Sequence, residues 1–295
     1  MKKDVSPGMD SRVTAKYWES TESKEIRCDL CPHHCKIKEN STGKCGARVN
    51  IDGELFADSY GKVTSIALDP IEKKPLYHFY RGKKIVSIGG YGCNFHCRFC
   101  QNYSISKEYQ NAKTEYLTPE IILNVALQAV PDGNIGVAYT YNEPLIGYEY
   151  VSDCSALIKQ AGLMNVLVTN GFINREPLEA LLPLIDAMNV DIKGYHSGTY
   201  NKVGGTLEVV FSTVEMSYAS CHVEVTTLVL PDENEEDIEE IARWLSALDK
   251  NIPYHLSRSF PRYKYKNNQA TPPETMYKLR DIAQKYLSNV YIGNM

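Results

Sequence analysis

The chain has 295 residues, a formal net charge of −4 and a pI near 6.0. That length suits one large domain, or one domain with a small extension, and the weakly acidic balance argues against a broad nucleic-acid surface. No apolar run approaches the ~18 residues of a membrane-spanning helix, and Met1-Lys2-Lys3-Asp4 leads into no apolar segment, so the expectation is a cytoplasmic protein with neither a span nor a secretory signal.

The first ~25 residues are polar and predict a frayed or weakly helical start. Cys28, Cys31, Cys35 and Cys45 follow with the spacing C-x2-C-x3-C-x9-C, among the turn makers Pro32, Gly43 and Gly46. Four thiols this close predict a metal knot. They can close a tetrahedral zinc site or fill every corner of an iron–sulfur cluster, and the spacing leaves both open. Such a knot would pin an extension too short to build its own core. The chain then stays irregular to about Pro75, with β-like pieces such as Lys62–Leu68. Residues 1–80 are accordingly assigned to this extension and residues 81–295 to the main domain. Nine cysteines in such a chain suggest metal or redox work and not disulfides. Cys154 and Cys221 stand alone and read as small buried apolar residues.

From Lys84 onward short apolar runs alternate with amphipathic stretches. The runs are Lys84–Gly89, Ile135–Tyr141, Asn165–Asn170, Met188–Lys193, His222–Leu230 and Pro253–Ser259. Helical stretches lie near Pro119–Val130, Gly147–Ala161, Arg175–Ile185, Leu207–Ala219, Glu235–Asp249 and Pro273–Leu287. Pro119, Pro177 and Pro273 sit at helix starts, led by Thr118, Asn174 and Thr271 or Pro272. Continuous apolar runs are the mark of parallel strands buried on both faces. The fold class is therefore α/β. Six β-α units give a partial (β/α)6 TIM-like barrel behind a Cys-rich irregular N-terminal extension, with Asn289–Ile292 as a further strand; an open doubly wound sheet fits the alternation nearly as well.

Chemistry in such barrels gathers at the C-terminal ends of the strands. The first strand runs into Cys93, Cys97 and Cys100, spaced C-x3-C-x2-C, with Phe99 just before the last. Three thiolates on one loop can hold three corners of a [4Fe–4S] cluster and leave one iron open for chemistry. A zinc loop with His96 as fourth ligand is the alternative. Later strand ends carry Asn142 and Glu143, then Asn170, then Asp191 and Lys193, then His255. Left unpaired in a core these groups would cost stability, whereas at one mouth they could face a polar ligand. Each also has a plainer reading. Glu143 could cap the helix after Pro144, and Asp191 and Lys193 could form a simple ion pair, being two apart on a strand. His255 could be a satisfied core histidine.

The cysteine loop, Asn142-Glu143-Pro144, Thr169-Asn170-Gly171, Asp191-Ile192-Lys193 and His255-Leu256-Ser257-Arg258 resemble the pyruvate formate-lyase activating-enzyme branch of the radical SAM superfamily. Cys28 to Cys35, Gly43-Lys44-Cys45-Gly46, Asp69 to His78 and Cys100-Gln101-Asn102 are similar to the radical SAM enzyme of the AmmeMemoRadiSam system. The branch usually reads Gly-Gly-Glu-Pro where this chain has Tyr141-Asn142-Glu143-Pro144. The resemblance selects the partial barrel. It implies an oxidoreductase-type enzyme with a [4Fe–4S] cluster on Cys93, Cys97 and Cys100. S-adenosylmethionine would chelate the open iron and lie across the mouth among Asn142, Glu143, Asn170, Asp191 and Lys193, with His255 near the reaction. An electron from the cluster would release a 5′-deoxyadenosyl radical that abstracts hydrogen from a substrate, a protein or peptide being one class and glycyl-radical activation one outcome. An electron donor such as a flavodoxin or ferredoxin is implied as partner. The competing class is a non-catalytic iron–sulfur relay or metal-binding protein, which predicts full ligation and no cleavage of S-adenosylmethionine. Modification of nucleic acid is disfavoured by the acidic charge and the lack of a basic arm.

Overall fold

The computed structural model describes residues 12–21 and 24–295, so the polar start up to residue 11 lies outside the described residues. In the extension, β1 (Trp18–Ser20), β2 (Ile26–Cys28) and β3 (Cys35–Ile37) form a three-stranded antiparallel sheet whose register sets Cys28 opposite Cys35. Trp18–Ser20 is thus a strand where composition suggested fraying or weak helix. Strands β4 (Arg48–Ile51) and β5 (Glu54–Ala57) form a hairpin around Asp52-Gly53. Both turn residues have positive φ, as the tightest hairpin turns demand. The short β6 (Lys62–Val63) and the longer β7 (Ser65–Pro70) follow.

The main sheet begins with β7, which pairs antiparallel with β8 (Lys84–Gly89). After α1 (Tyr103–Ser106), β9 (Glu115–Tyr116) returns to pair with β6. Regular alternation then sets in: α2 (Pro119–Gln128), β10 (Asn134–Tyr139), α3 (Tyr148–Gln160), β11 (Met164–Thr169), α4 (Arg175–Leu181), β12 (Ala187–Asp191), α5 (Ser197–Val203), α6 (Leu207–Tyr218), β13 (His222–Val229), α7 (Asp237–Asp249), β14 (Tyr254–Arg258), α8 (Pro273–Ala283) and β15 (Val290–Gly293). Spatial order runs β15-β14-β13-β12-β11-β10-β8-β7, and every pair from β8 to β15 is parallel. This is the α/β partial barrel. The six expected strands and the further strand near Asn289–Ile292 all belong to it. The sheet starts at Ser65, however, inside the segment that the sequence assigned to the extension. Among the described residues no helix is long and apolar enough to cross a membrane.

Local chemistry explains the joints. Thr118 caps α2 by accepting from the Ile121 N–H at 3.4 Å, and Pro119 takes the first position, where no donor is needed. Asn174 stands before α4 but does not cap it; its Nδ2 donates to the Asp29 carbonyl at 2.6 Å and ties the extension to the barrel. The parallel strands are buried on both faces, as in β8, where all residues after Lys84 are buried. Inside the barrel, Ile85, Ala138, Val166 and Ala187 pack with Ile71 and Leu76 into one buried cluster. The segment after β7 therefore plugs the lower barrel with apolar side chains and leaves the upper end open.

Candidate active site

Above this plug a cavity of about 340 Å³ opens at the C-terminal ends of the strands. Cys93, Cys97 and Cys100 form one wall. The facing walls carry Asn142, Glu143, Asn170, Asp191 and Lys193, joined by Thr226, Ser257, Lys73 and Lys74. Burial pushes the Cys93 thiol up to about 12 and the Cys97 thiol up to about 11. Such groups are poor free nucleophiles, and a bound metal ion is what would keep them deprotonated. His96 does not join them. It is exposed and packs on Gly204, whose φ of +79° and missing side chain make room; a Cβ there would meet the His96 ring at 2.0 Å. A zinc site completed by His96 is therefore not what the loop builds.

Several lining groups are occupied with holding the loop. Asn142 accepts from the Gly90 N–H at 3.0 Å and donates to the carbonyls of Tyr91 and Gly92 at 3.1 and 3.2 Å. Asn170 donates to Asn94 Oδ1 at 2.9 Å, accepts from the Phe172 N–H at 2.9 Å, and brings its Nδ2 within 3.8 Å of Cys93 Sγ. Glu143 is fully buried and accepts three bonds, from the Leu145 N–H, Thr169 Oγ1 and the Asn170 N–H at 3.0, 2.7 and 2.8 Å. A carboxylate has about four acceptor positions, so one remains, on Oε2. Burial raises the Glu143 carboxyl above its ordinary pKa against the pull of these bonds. Its capping of the turn after Pro144 and its place in the cavity wall are both real.

Asp191 and Lys193 differ from these braces. Lys193 Nζ pairs with Asp191 Oδ2, and lies 6.0 Å from the centre of the Phe99 ring. Burial opposes the charge on Lys193, yet Asp191, together with Cys97 and Cys100 in their thiolate form, holds its ammonium above the ordinary lysine value. Asp191 Oδ1 and Thr226 Oγ1 are buried and have no hydrogen-bond partner. Unsatisfied buried oxygens are costly, and two in one cavity mark a place shaped for a ligand.

His255 is brought elsewhere. It faces inward on β14, but Ser257, two residues further along, is the one that lines the cavity. His255 Nε2 contacts Glu224 Oε2 at 2.6 Å, and its ring stacks on Tyr291 and meets Tyr77 edge-on. Glu224 is fully buried and also meets His222 Nε2 at 2.9 Å and accepts from the backbone N–H groups of Tyr77 and His78 at 2.9 and 2.7 Å. Burial alone would raise this carboxyl, but the two histidines and two amides hold it down to about 2. Of the two readings of His255, the geometry favours the plainer one: it sits in a satisfied network that anchors the plug segment under the cavity.

The sequence reading missed one cluster in the wall. Asp69 receives Lys74 Nζ at 2.8 Å, Lys73 Nζ at 3.2 Å and the Tyr141 hydroxyl at 2.7 Å, and the Lys74 ammonium sits 4.7 Å from the Tyr141 ring centre. Tyr141 takes a φ of 72°, a conformation free to glycine and strained for tyrosine. The signal was present, since Tyr141 stands where related loops carry glycine, but only the fold brings Asp69 to it.

Comparison with known proteins agrees with this geometry. The profile of the radical SAM superfamily matches residues 87–245. The chain is 42% identical over 289 residues to the uncharacterised protein MJ0808 of Methanocaldococcus jannaschii, covering 95% of this chain and 85% of that one. It is 24% identical to the pyruvate formate-lyase 1-activating enzyme of Escherichia coli K12, over 66% of this chain and 86% of that enzyme. The crystal structure of QueE from Escherichia coli shares the fold, with a TM-score of 0.50 at 14% identity over 79% of this chain and 94% of that one. With the matched profile spanning the cysteine loop and most of the barrel, the chain belongs to the radical SAM superfamily and is an enzyme of that class.

Proposed function

We propose that this enzyme holds one [4Fe–4S] cluster on Cys93, Cys97 and Cys100, binds S-adenosylmethionine across the barrel mouth, and abstracts hydrogen from a protein or peptide substrate. The observation that carries this reading is the convergence of three thiols, the largely buried Lys193 ammonium and two unsatisfied buried oxygens on a single cavity. The residues fit both groups on that ground. When bound, the cluster supplies the electron that splits the sulfonium of S-adenosylmethionine into methionine and a 5′-deoxyadenosyl radical. Lys193 is the cation for the methionine carboxylate. Asp191 Oδ1 and the open position on Glu143 Oε2 are the acceptors for its ammonium. Asn142 and Asn170 act as positioning residues for the cysteine loop. Thr226 and Ser257 offer further hydroxyls in the cavity, and the apolar plug beneath excludes water from the reaction.

A protein or peptide substrate is supported by the similarity to a pyruvate formate-lyase activating enzyme. An external one-electron donor of the flavodoxin or ferredoxin class follows from the chemistry. Nine free thiols support a reducing, cytoplasmic setting. Cys28, Cys31, Cys35 and Cys45 add a second metal site in the N-terminal extension, ahead of the barrel strand β7. The test is anaerobic reconstitution with iron and sulfide, followed by chemical reduction with S-adenosylmethionine present. The expected result is 5′-deoxyadenosine and methionine in equal amounts; a reconstituted, reduced protein that forms neither refutes the reading and favours a non-catalytic relay.

A further inference from the structure

The four cysteines of the extension are arranged as one site. Cys28 and Cys35 are opposite each other across β2 and β3. All four thiols are free of disulfides and line one small apolar cavity of about 10 Å³ together with Arg48 and Asn94. Arg48 is almost fully buried. Its guanidinium bonds Glu149 of α3 at 3.0 Å, while its Nε has no acceptor among the described residues. A buried cation with a spare N–H beside four thiols fits a ligand that is anionic and sulfur-rich.

Geometry separates the candidates for that ligand. One zinc ion with Zn–S bonds of about 2.3 Å holds its sulfurs about 3.8 Å apart. No three of the four sulfurs lie within 4.8 Å of one another. The loop sulfurs of Cys93, Cys97 and Cys100 likewise do not all lie within 4.8 Å of one another. A four-iron cluster spreads its ligands further than a single ion does, because each thiolate meets a different iron.

The two cysteine groups also share a wall. The Cys93 N–H donates to the Cys45 carbonyl at 3.2 Å. Gly92, with φ +82°, is needed for that approach, since a Cβ there would stand 2.3 Å from the Cys45 oxygen. Asn94 follows Cys93 and lines the knot cavity. Its Oδ1 accepts from Asn170, whose Nδ2 reaches Cys93 Sγ, and its carbonyl contacts His33 Nε2 at 2.7 Å.

We propose that Cys28, Cys31, Cys35 and Cys45 ligate a second [4Fe–4S] cluster, fully coordinated, which passes single electrons to the loop cluster. In the transfer the knot cluster is oxidised by one electron as the loop cluster is reduced by one, and a one-electron donor of the flavodoxin class restores the knot. The relay rests on the loop cluster proposed above, whereas ligation by the knot does not.

The experiment uses the full chain, reconstituted anaerobically, and its triple variant Cys93→Ala, Cys97→Ala, Cys100→Ala. The variant should keep about four irons and four sulfides per chain and show a reduced-cluster signal by electron paramagnetic resonance. One zinc without iron, or no metal, overturns the second cluster whatever the loop does. In the fully reduced parent the two cluster signals should broaden each other magnetically, and the broadening should vanish in the triple variant. Two independent signals overturn the relay. Cys31→Ser, if it folds, should lower the rate of loop-cluster reduction by reduced flavodoxin more than tenfold with an unchanged dissociation constant for S-adenosylmethionine; an unchanged rate also overturns the relay.

Discussion

Two polar clusters at different levels of the barrel interior have similar residues and opposite character. At the lower level Glu224 has His222, His255 and two backbone amides, and its carboxylate is fully engaged. At the mouth Asp191 has Lys193 alone, and one of its buried oxygens has no partner. A buried network that satisfies itself is a brace, while one that leaves an acceptor open in a cavity is a binding site. Charge alone does not tell the two apart. The count of unmet hydrogen bonds does.

The largest effect expected is at the cysteine loop. Replacing any of Cys93, Cys97 or Cys100 by alanine should remove the loop cluster and all formation of 5′-deoxyadenosine, measured by chromatography of the reaction. Full activity in any one variant would remove that residue from the site. The second effect separates the brace from the site. Glu224→Ala leaves two histidines and two amides unpaired, and should cost about 3–5 kcal/mol of stability, read as a lower denaturation midpoint in urea. His255→Asn should also lower the midpoint, yet leave the affinity for S-adenosylmethionine unchanged; a weakened affinity would return His255 to the site.

Acid titration sharpens the same contrast. The Glu224 carboxyl is held near 2, below its ordinary 4.5, so its stabilising contribution is complete above pH 4.5 and is lost as the pH falls toward 2. Glu224→Gln should therefore flatten the acid branch of the stability curve. An unchanged acid branch would mean that the network does not favour the ionised carboxylate. At the mouth, Lys193→Ala should weaken S-adenosylmethionine by about 1–3 kcal/mol, the range of a charge-assisted bond, with loop iron content as the control for folding. Thr226→Val should have the smallest effect, about 0.5–1.5 kcal/mol on the same affinity. Both are read by calorimetry, and no change in either removes that residue from the ligand's contacts.

Much of the fold was legible because parallel strands buried on both faces need continuous apolar runs, such as Lys84–Gly89 and Met164–Thr169. The cysteine loop was legible because its three ligands are neighbours in sequence. Strand β7 was not seen as part of the barrel sheet, since Ile66 and Leu68 lie on an exposed edge and pair against the barrel direction. Alternation along β14 shows that His255 and Ser257 share a face, but not which one reaches the mouth. That depends on strand register and on the plug that brings Tyr77 and His78 to Glu224. The engagement of Glu143 was equally hidden, because two of its donors, Thr169 and Asn170, come from the next strand end.

The most direct test of the central claim is the electron paramagnetic resonance spectrum of the reduced loop cluster before and after addition of S-adenosylmethionine, in the parent, Lys193→Ala and His255→Asn. The account predicts a changed loop signal on binding in the parent and in His255→Asn at the same concentration, and a change in Lys193→Ala only at concentrations several-fold higher. A parent signal that stays the same at saturating S-adenosylmethionine, or a loss of response in His255→Asn with its cluster intact, would contradict it.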